Sequence, residues 1–281
     1  MSAVRKIINT HGHLHLNSDV DRLVEEWQNE GVVKFCALAL DRRFQEHGYL
    51  GNEGVKKWMD KYPDILIGIG SIDVGMIQDP AGKVDQLKSE GFQGLKFISP
   101  ALKYNDESYF GYYEKAEALG MPIIFHTGIV SSTALGGQPE YAVDADNMRP
   151  YCFDKICRRF PKLKMIGAHL GLPHEQEALR IISTYKNVYY DFSGAGGCKT
   201  WVSEIKKTLA PFPGANWDDP EENIARQYFK KFVFATDNPP VALWKKNAID
   251  IMDYLHIDEE TREDFFWRNA ARIFGWTSLL D

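Results

Sequence analysis

The chain has 281 residues, 44% of them hydrophobic and 26% charged, an ordinary globular composition with apolar material for one large core. Its formal net charge of −6 comes without a basic arm or patch, which argues against a nucleic-acid partner. No apolar stretch approaches the ~20 residues of a membrane-spanning helix. The cysteines Cys36, Cys152, Cys157 and Cys198 include no Cys-x-x-Cys pair, and Cys36 sits in the apolar run VVKFCALAL as a core residue. With an N-terminus, MSAVRKIINTHGH, that lacks an apolar leader, this cysteine pattern predicts a cytoplasmic protein.

Strand and helix signals alternate from the start. KIINTH (6–11) reads as strand one, followed by amphipathic DRLVEEWQNEG, with Leu23, Val24 and Trp27 inward and a stop at Gly31. VVKFCAL (32–38) is strand two, and VKKWMDKYPD a helix broken at Pro63. ILIGIGSI (65–72) precedes helical DQLKSEGFQG, and GLKFIS (94–99) precedes YFGYYEKAEALGMP, stopped by Gly120 and Pro122. PIIFHTG (122–128) leads through a long connection, 129–150, into helical FDKICRRFPK. KMIGAH (164–169) is followed by helical HEQEALRIISTYKN, VYYDFSG (188–194) by a second long connection, 195–220, and FVFATDN (232–238) by helical NAIDIMDYLHID. Near-continuous apolar runs point to strands buried on both faces, as in a parallel sheet. Eight strand–helix units predict an α/β fold, a (β/α)8 TIM barrel, as a single domain over residues 1–281. An open doubly wound sheet is the rival, but HGHLHLNS stands where that fold carries a glycine-rich phosphate turn. Both long connections lie on the downstream rim, where barrel enzymes keep substrate contacts and lids.

Five polar residues end four of these runs on that rim: His11 and His13, His126, His169 and Asp237. Alternation along a strand puts His11 and His13 on one face. His13 and His15 share the same parity, but the first pair continues the apolar run directly. An isolated His-x-His fits a polar turn equally well; the signal lies in the convergence of the set. Imidazole and carboxylate together suit a divalent ion, zinc first, with iron, manganese or nickel behind it. His11, His13, His126 and Asp237 are the expected ligands, leaving a position for a water whose pKa falls to about 7. His169 is the expected general base or carbonyl-polarising group, and Asp237 also a proton carrier. The bland alternatives are a packed or ligating His169, and Asp237 as the N-cap of the following helix.

Lys96, in GLKFIS, is read first as a snorkelling or ion-paired lysine, and otherwise as a carboxylated metal bridge or a partner for a substrate carboxylate. Arg42 and Arg43 follow strand two and could bind an anionic group; exposure is their default. His174 lies close enough to the rim to reach substrate, whereas His47 and His256 read as surface residues. No Gly-x-Ser-x-Gly elbow and no phosphate-binding glycine run is present.

NTHGHL, PIIFHTG, RRFPKLKMIGAHLG, VYYDFSG, VFATDNP and FFWRNAARIFG, in that order, resemble the blocks of amidohydrolase family 2, the metal-dependent group that includes aminocarboxymuconate semialdehyde decarboxylase. The likeness spans essentially the whole chain. It implies a (β/α)8 barrel with a divalent ion at the C-terminal rim, held by His11, His13, His126 and Asp237, with His169 as acid/base. Asn9 departs from the family's usual aspartate, at a position that supports rather than ligates. The family contains hydrolases, decarboxylases and hydratases. The first expectation is therefore a metal-dependent hydrolase of a small amide, ester or lactone. The second is a non-oxidative decarboxylase of an aromatic or unsaturated acid, with Arg42 or Lys96 on the carboxylate. The third is a barrel that binds a ligand without turnover. The expected partner is a small-molecule substrate, with no nucleic acid or membrane, and a homodimer is compatible with the chain.

Overall fold

Seven of the eight apolar runs form regular strands: β1 (Ile7–Gly12), β2 (Val32–Leu38), β3 (Leu66–Ser71), β4 (Gly94–Phe97), β5 (Ile123–Phe125), β6 (Met165–Gly167) and β7 (Val188–Tyr190). They pair in sequence order and all in parallel. The computed structural model describes residues 5–280 apart from 75, 77, 78, 132, 133, 135–142 and 239.

The eighth run departs from expectation. Residues 232–238 make bridges rather than a ladder, Phe232 to Tyr190 of β7 and Asp237 to Gly12 of β1. Thr236 and Asp237 both donate backbone N–H bonds to the His11 carbonyl. In a regular ladder consecutive N–H groups point to opposite neighbours, so this sharing breaks the strand. Thr10 N–H to Phe234 O and Val233 N–H to Tyr190 O complete the seam. The segment lies between β7 and β1 and closes the (β/α)8 TIM barrel.

Helices supply the crossovers. The principal ones are α1 (Val20–Asn29), α3 (Asn52–Lys61), α4 (Pro80–Ser89), α5 (Phe110–Ala118), α6 (Phe153–Arg159), α7 (Glu175–Thr184), α8 (Lys199–Leu209) and α10 (Val241–Tyr254). Shorter helices are α2 (Arg42–Gln45), α9 (Ile224–Phe229), α11 (Glu259–Glu263) and α12 (Asn269–Phe274). Asp19 and Asp79 cap α1 and α4 by accepting from Arg22 N and Gly82 N. The connection 195–220 is not loop throughout, because α8 (11 residues) lies within it. Trp201, Val202, Ile205 and Leu209 bury one face of that helix, a helical spacing visible in the sequence.

The strands separate two cores by parity. Residues such as Phe35, Leu95, Phe97, Ile123, Phe125 and Met165 face the helices in the larger cluster. Cys36, Leu38, Ile67, Ile69, Ile124, Ile166 and Val233 pack together in a smaller cluster that fills the barrel. Continuing the inward parity toward the C-terminal rim gives His11 on β1 and His13 just beyond it, Lys96 on β4, His126 beyond β5, Asp191 beyond β7 and Asp237 on the eighth segment.

Candidate metal centre

His169 does not share the inward parity of Ile166, yet it reaches the site. Its φ of 63° turns the chain immediately after β6. Asp237 is also in the left-handed region, with φ of 60°. Neither residue is glycine, so both conformations are held by their surroundings. The helix that follows Asp237 takes Pro240 as its N-cap, so Asp237 is not a capping residue.

Each imidazole has its Nδ1 committed to an acceptor. His11 Nδ1–H donates to Asp191 Oδ2 at 3.2 Å. His13 Nδ1–H donates to the Leu38 carbonyl at 3.1 Å, and His169 Nδ1–H to the Ser193 carbonyl at 3.0 Å. His126 bonds the Ile129 backbone, and its Nε2 is buried with no partner. These acceptors assign the proton to Nδ1 and leave Nε2 as a lone-pair donor on every ring.

The Nε2 atoms of His11 and His13 face each other at 3.2 Å. Asp237 Oδ1 stands 3.6 Å from the first and 3.5 Å from the second. Two lone pairs and a carboxylate oxygen at that spacing repel unless a cation lies among them. Bonds of about 2.0–2.1 Å at a tetrahedral angle need donor atoms about 3.3 Å apart, so the residues fit a divalent ion. His11, His169 and Asp191 form a second close group. His126 belongs to neither; its ring lies edge-on against His169, centroids 4.9 Å apart.

Burial sets the protonation of these rings. It lowers the His11 pKa from 6.5 to about 4, with nearby Lys96 acting in the same direction. Burial likewise holds His13 and His126 well below the usual histidine range. All three are therefore neutral at pH 7, the form a metal requires.

Sequence reasoning named VYYDFSG as a strand but overlooked Asp191. It is fully buried, and its Oδ1 accepts from His169 N at 3.0 Å, Ser193 N at 2.9 Å and Ser193 Oγ at 2.7 Å. Its carboxylate thus fixes both the His11 ring and the turn that carries His169. Burial works against its charge, yet the facing His11 imidazole, with the His169 ring and backbone N–H, holds it below the usual carboxylate range. The rule that found Asp237, an acid closing an apolar run, would have found it too. Asn9, fully buried, donates from Nδ2 to Thr236 Oγ1 at 2.8 Å and so ties β1 to the closing segment.

The first reading of Lys96 needs correction, Arg42 keeps its default exposure, and neither Arg42 nor His174 reaches the cluster. Lys96 neither snorkels nor forms an ion pair. It is fully buried in the barrel, its Nζ 3.5 Å from His11 Nε2, and burial lowers its pKa to about 8. Arg42 points to solvent, its side chain 90% exposed, and pairs with Glu46 on the next helical turn. Arg43 is folded onto Asp41 and the Ser99 carbonyl. His174 precedes α7 and does not line the cavity. His15 does line it, with Nε2 3.3 Å from Asn238 Oδ1 and its ring against Tyr49.

A cavity of about 960 Å³ opens over the cluster, reached by His13, His126, His169 and Asp237. Ile129, Val130, Ser131 and Ala134 of the first long connection contribute to its wall, as do Gly194, Ala195 and Gly196 at the start of the second. Residues 132, 133 and 135–142 of the first connection lie outside the described set. Gly194, at φ 96°, permits the close approach: a Cβ there would stand 2.7 Å from His169 Nδ1.

The family model described as amidohydrolase matches residues 37–276. No curated protein sequence matches the chain. Among solved structures, an uncharacterised TIM-barrel protein from Bordetella bronchiseptica superposes with a TM-score of 0.67 at 16% identity, covering 92% of this chain and 83% of its own. A probable 2-pyrone-4,6-dicarboxylic acid hydrolase from Acinetobacter baumannii gives 0.64 at 14% identity, covering 96% and 99%. A 5-carboxyvanillate decarboxylase from Novosphingobium aromaticivorans, complexed with manganese and a nitrobenzoic acid ligand, gives 0.57 at 16% identity, covering 93% and 81%. At these identities the shared property is the fold.

Proposed function

The chain belongs to the amidohydrolase family, and from that premise we propose that it is a metal-dependent hydrolase acting on the carbonyl of a small amide, ester or lactone. The observation that carries this reading is the facing set of His11 Nε2, His13 Nε2 and Asp237 Oδ1, with mutual distances of 3.2–3.6 Å, beneath a cavity. These three would hold one divalent ion, with His126 as the further imidazole, and zinc matches the donor set best. When bound, such an ion polarises a carbonyl and lowers the pKa of water to about 7.

His169 lines the cavity with its Nδ1–H spent on the Ser193 carbonyl, so Nε2 is free to accept a proton. It takes one from the attacking water and returns it to the leaving nitrogen or oxygen. The water oxygen joins the acyl carbon, the acyl–nitrogen or acyl–oxygen bond breaks, and the products are an acid with an amine or alcohol. Asp237, the carboxylate in the cavity wall, is the second proton carrier.

A non-oxidative decarboxylase is the second reading, favoured by one observation: the buried Lys96 cation, 3.5 Å from His11 Nε2, adds positive charge beneath the metal-binding end of the cavity, which suits an anionic reacting group there. Carbon dioxide release decides for it, and incorporation of labelled water oxygen into an acid product decides for hydrolysis. His169→Ala should keep its metal and lose about 10²–10⁴-fold in turnover. His126→Ala should lose metal. Metal loss from His169→Ala would make His169 a ligand and remove it as the base.

A further inference from the structure

The walls of the cavity have a chemical character that the metal-binding cluster does not determine. Leu40, Phe44, Ile98, Val130, Leu172 and Leu243 supply much of the surface above the imidazoles. His15, Tyr49 and Asn238 form one polar strip, with no charged member other than the neighbouring Asp237. The chain has 33 lysines and arginines, and none lines the cavity. The residues outside the described set do not change this, because by sequence they contain no lysine or arginine. The nearby cations are engaged elsewhere: Arg42 with Glu46 in solvent, Arg43 with Asp41 and the Ser99 carbonyl, and Lys96 buried beneath His11.

We propose that the cavity takes a ligand whose body is uncharged and largely aryl or alkyl, and that it excludes a second anionic group distal to the metal-binding end. For the reacting group this rests on the hydrolase reading, which makes the substrate class a neutral aryl or alkyl ester, amide or lactone rather than a dicarboxylate. A distal carboxylate would leave water to meet apolar side chains and Asp237, with no lysine or arginine to replace its hydration and only the neutral polar strip to bond it. A phenyl or short alkyl body would instead exchange water for the contacts of Phe44, Ile98 and Leu243.

The test uses the metal-loaded protein and two probes that share one metal-binding end, benzohydroxamate and 4-carboxybenzohydroxamate, with affinity read by calorimetry. The neutral body should bind about 100-fold more tightly. Leu243→Arg, at a wall position 38% exposed, should narrow that ratio by about tenfold by giving the distal carboxylate a partner. Ile129→Arg, at 62% exposure, repeats the test at a second wall position should the first variant fold poorly. Equal affinities, tighter binding of the carboxylated probe, or no binding of benzohydroxamate at millimolar concentration would overturn the proposal. Ester hydrolysis is assayed separately. Selective binding without hydrolysis would remove the hydrolase reading and leave the neutral cavity standing.

Discussion

Replacing Asp191 by asparagine changes one atom's chemistry in a site that has little freedom to adapt. The side chain is fully buried, and its Oδ1 receives bonds from His169 N, Ser193 N and Ser193 Oγ. The asparagine oxygen can keep all three. Its NH₂ then stands where Oδ2 was, 3.2 Å from His11 Nδ1, and two N–H donors face each other. His11 relieves this only by moving its proton to Nε2, which removes the lone pair directed at His13 and Asp237, or by turning away. Replacement of partners that orient a metal ligand costs 10–100-fold in metal affinity, or about 1.4–2.8 kcal/mol. Competition between metal-stripped protein and a chromophoric chelator, for zinc and for manganese, measures the loss. Thermal melting of the metal-free variant checks that the barrel persists. Ser193→Ala removes one donor to Asp191 but leaves the His11 contact, so its affinity should change less than about threefold. Wild-type affinity in Asp191→Asn, with an unaltered melt, would refute the orienting role.

Gly194→Ala should place a methyl group 2.7 Å from His169 Nδ1 at a φ of 96°, costing about 1–3 kcal/mol and displacing the base. Denaturant midpoints and turnover should fall together; a wild-type rate would show that His169 does not need that approach. The metal-free protein should also lose stability as pH falls from 6.5 toward 4. His11 stays neutral in the folded chain until about pH 4, whereas the unfolded chain takes up its proton near pH 6.5. The folded state therefore binds fewer protons across that window, and the loss reaches about 3 kcal/mol from this ring, with His13 and His126 acting in the same direction. A melting temperature that stays flat between pH 6.5 and 5 would contradict it.

The barrel order and most of the cluster were legible because both follow from strand parity and strand ends. His11, His13, His126 and Asp237 lie where an inward-facing residue at the end of an apolar run must lie. The same parity would have placed Lys96 inward, since Leu95 and Phe97 face the helices, but the general rarity of buried lysine put snorkelling or an ion pair first. Exposure was the default for Arg42 and Arg43 and holds for Arg42, but the partners of the two side chains were not legible. Their directions depend on the register of a four-residue helix, which sends Arg42 to Glu46 and Arg43 to Asp41. The irregular eighth segment could not be foreseen either. FVFATDN has strand composition, and the backbone sharing at His11 that breaks its ladder depends on the fold. His169 reached the cluster by a route that parity does not encode, the positive φ directly after β6.

The left-handed backbone at His169 and Asp237 sets two demands against each other. Ordinary residues resist that conformation by about 1–3 kcal/mol, while glycine accepts it freely and asparagine tolerates it. A laboratory selection that rewards heat resistance alone would therefore drift toward Gly or Asn at these two sites, gaining robustness while erasing the chemistry. The rim of this barrel is a place where durability and reactivity compete for the same peptide units.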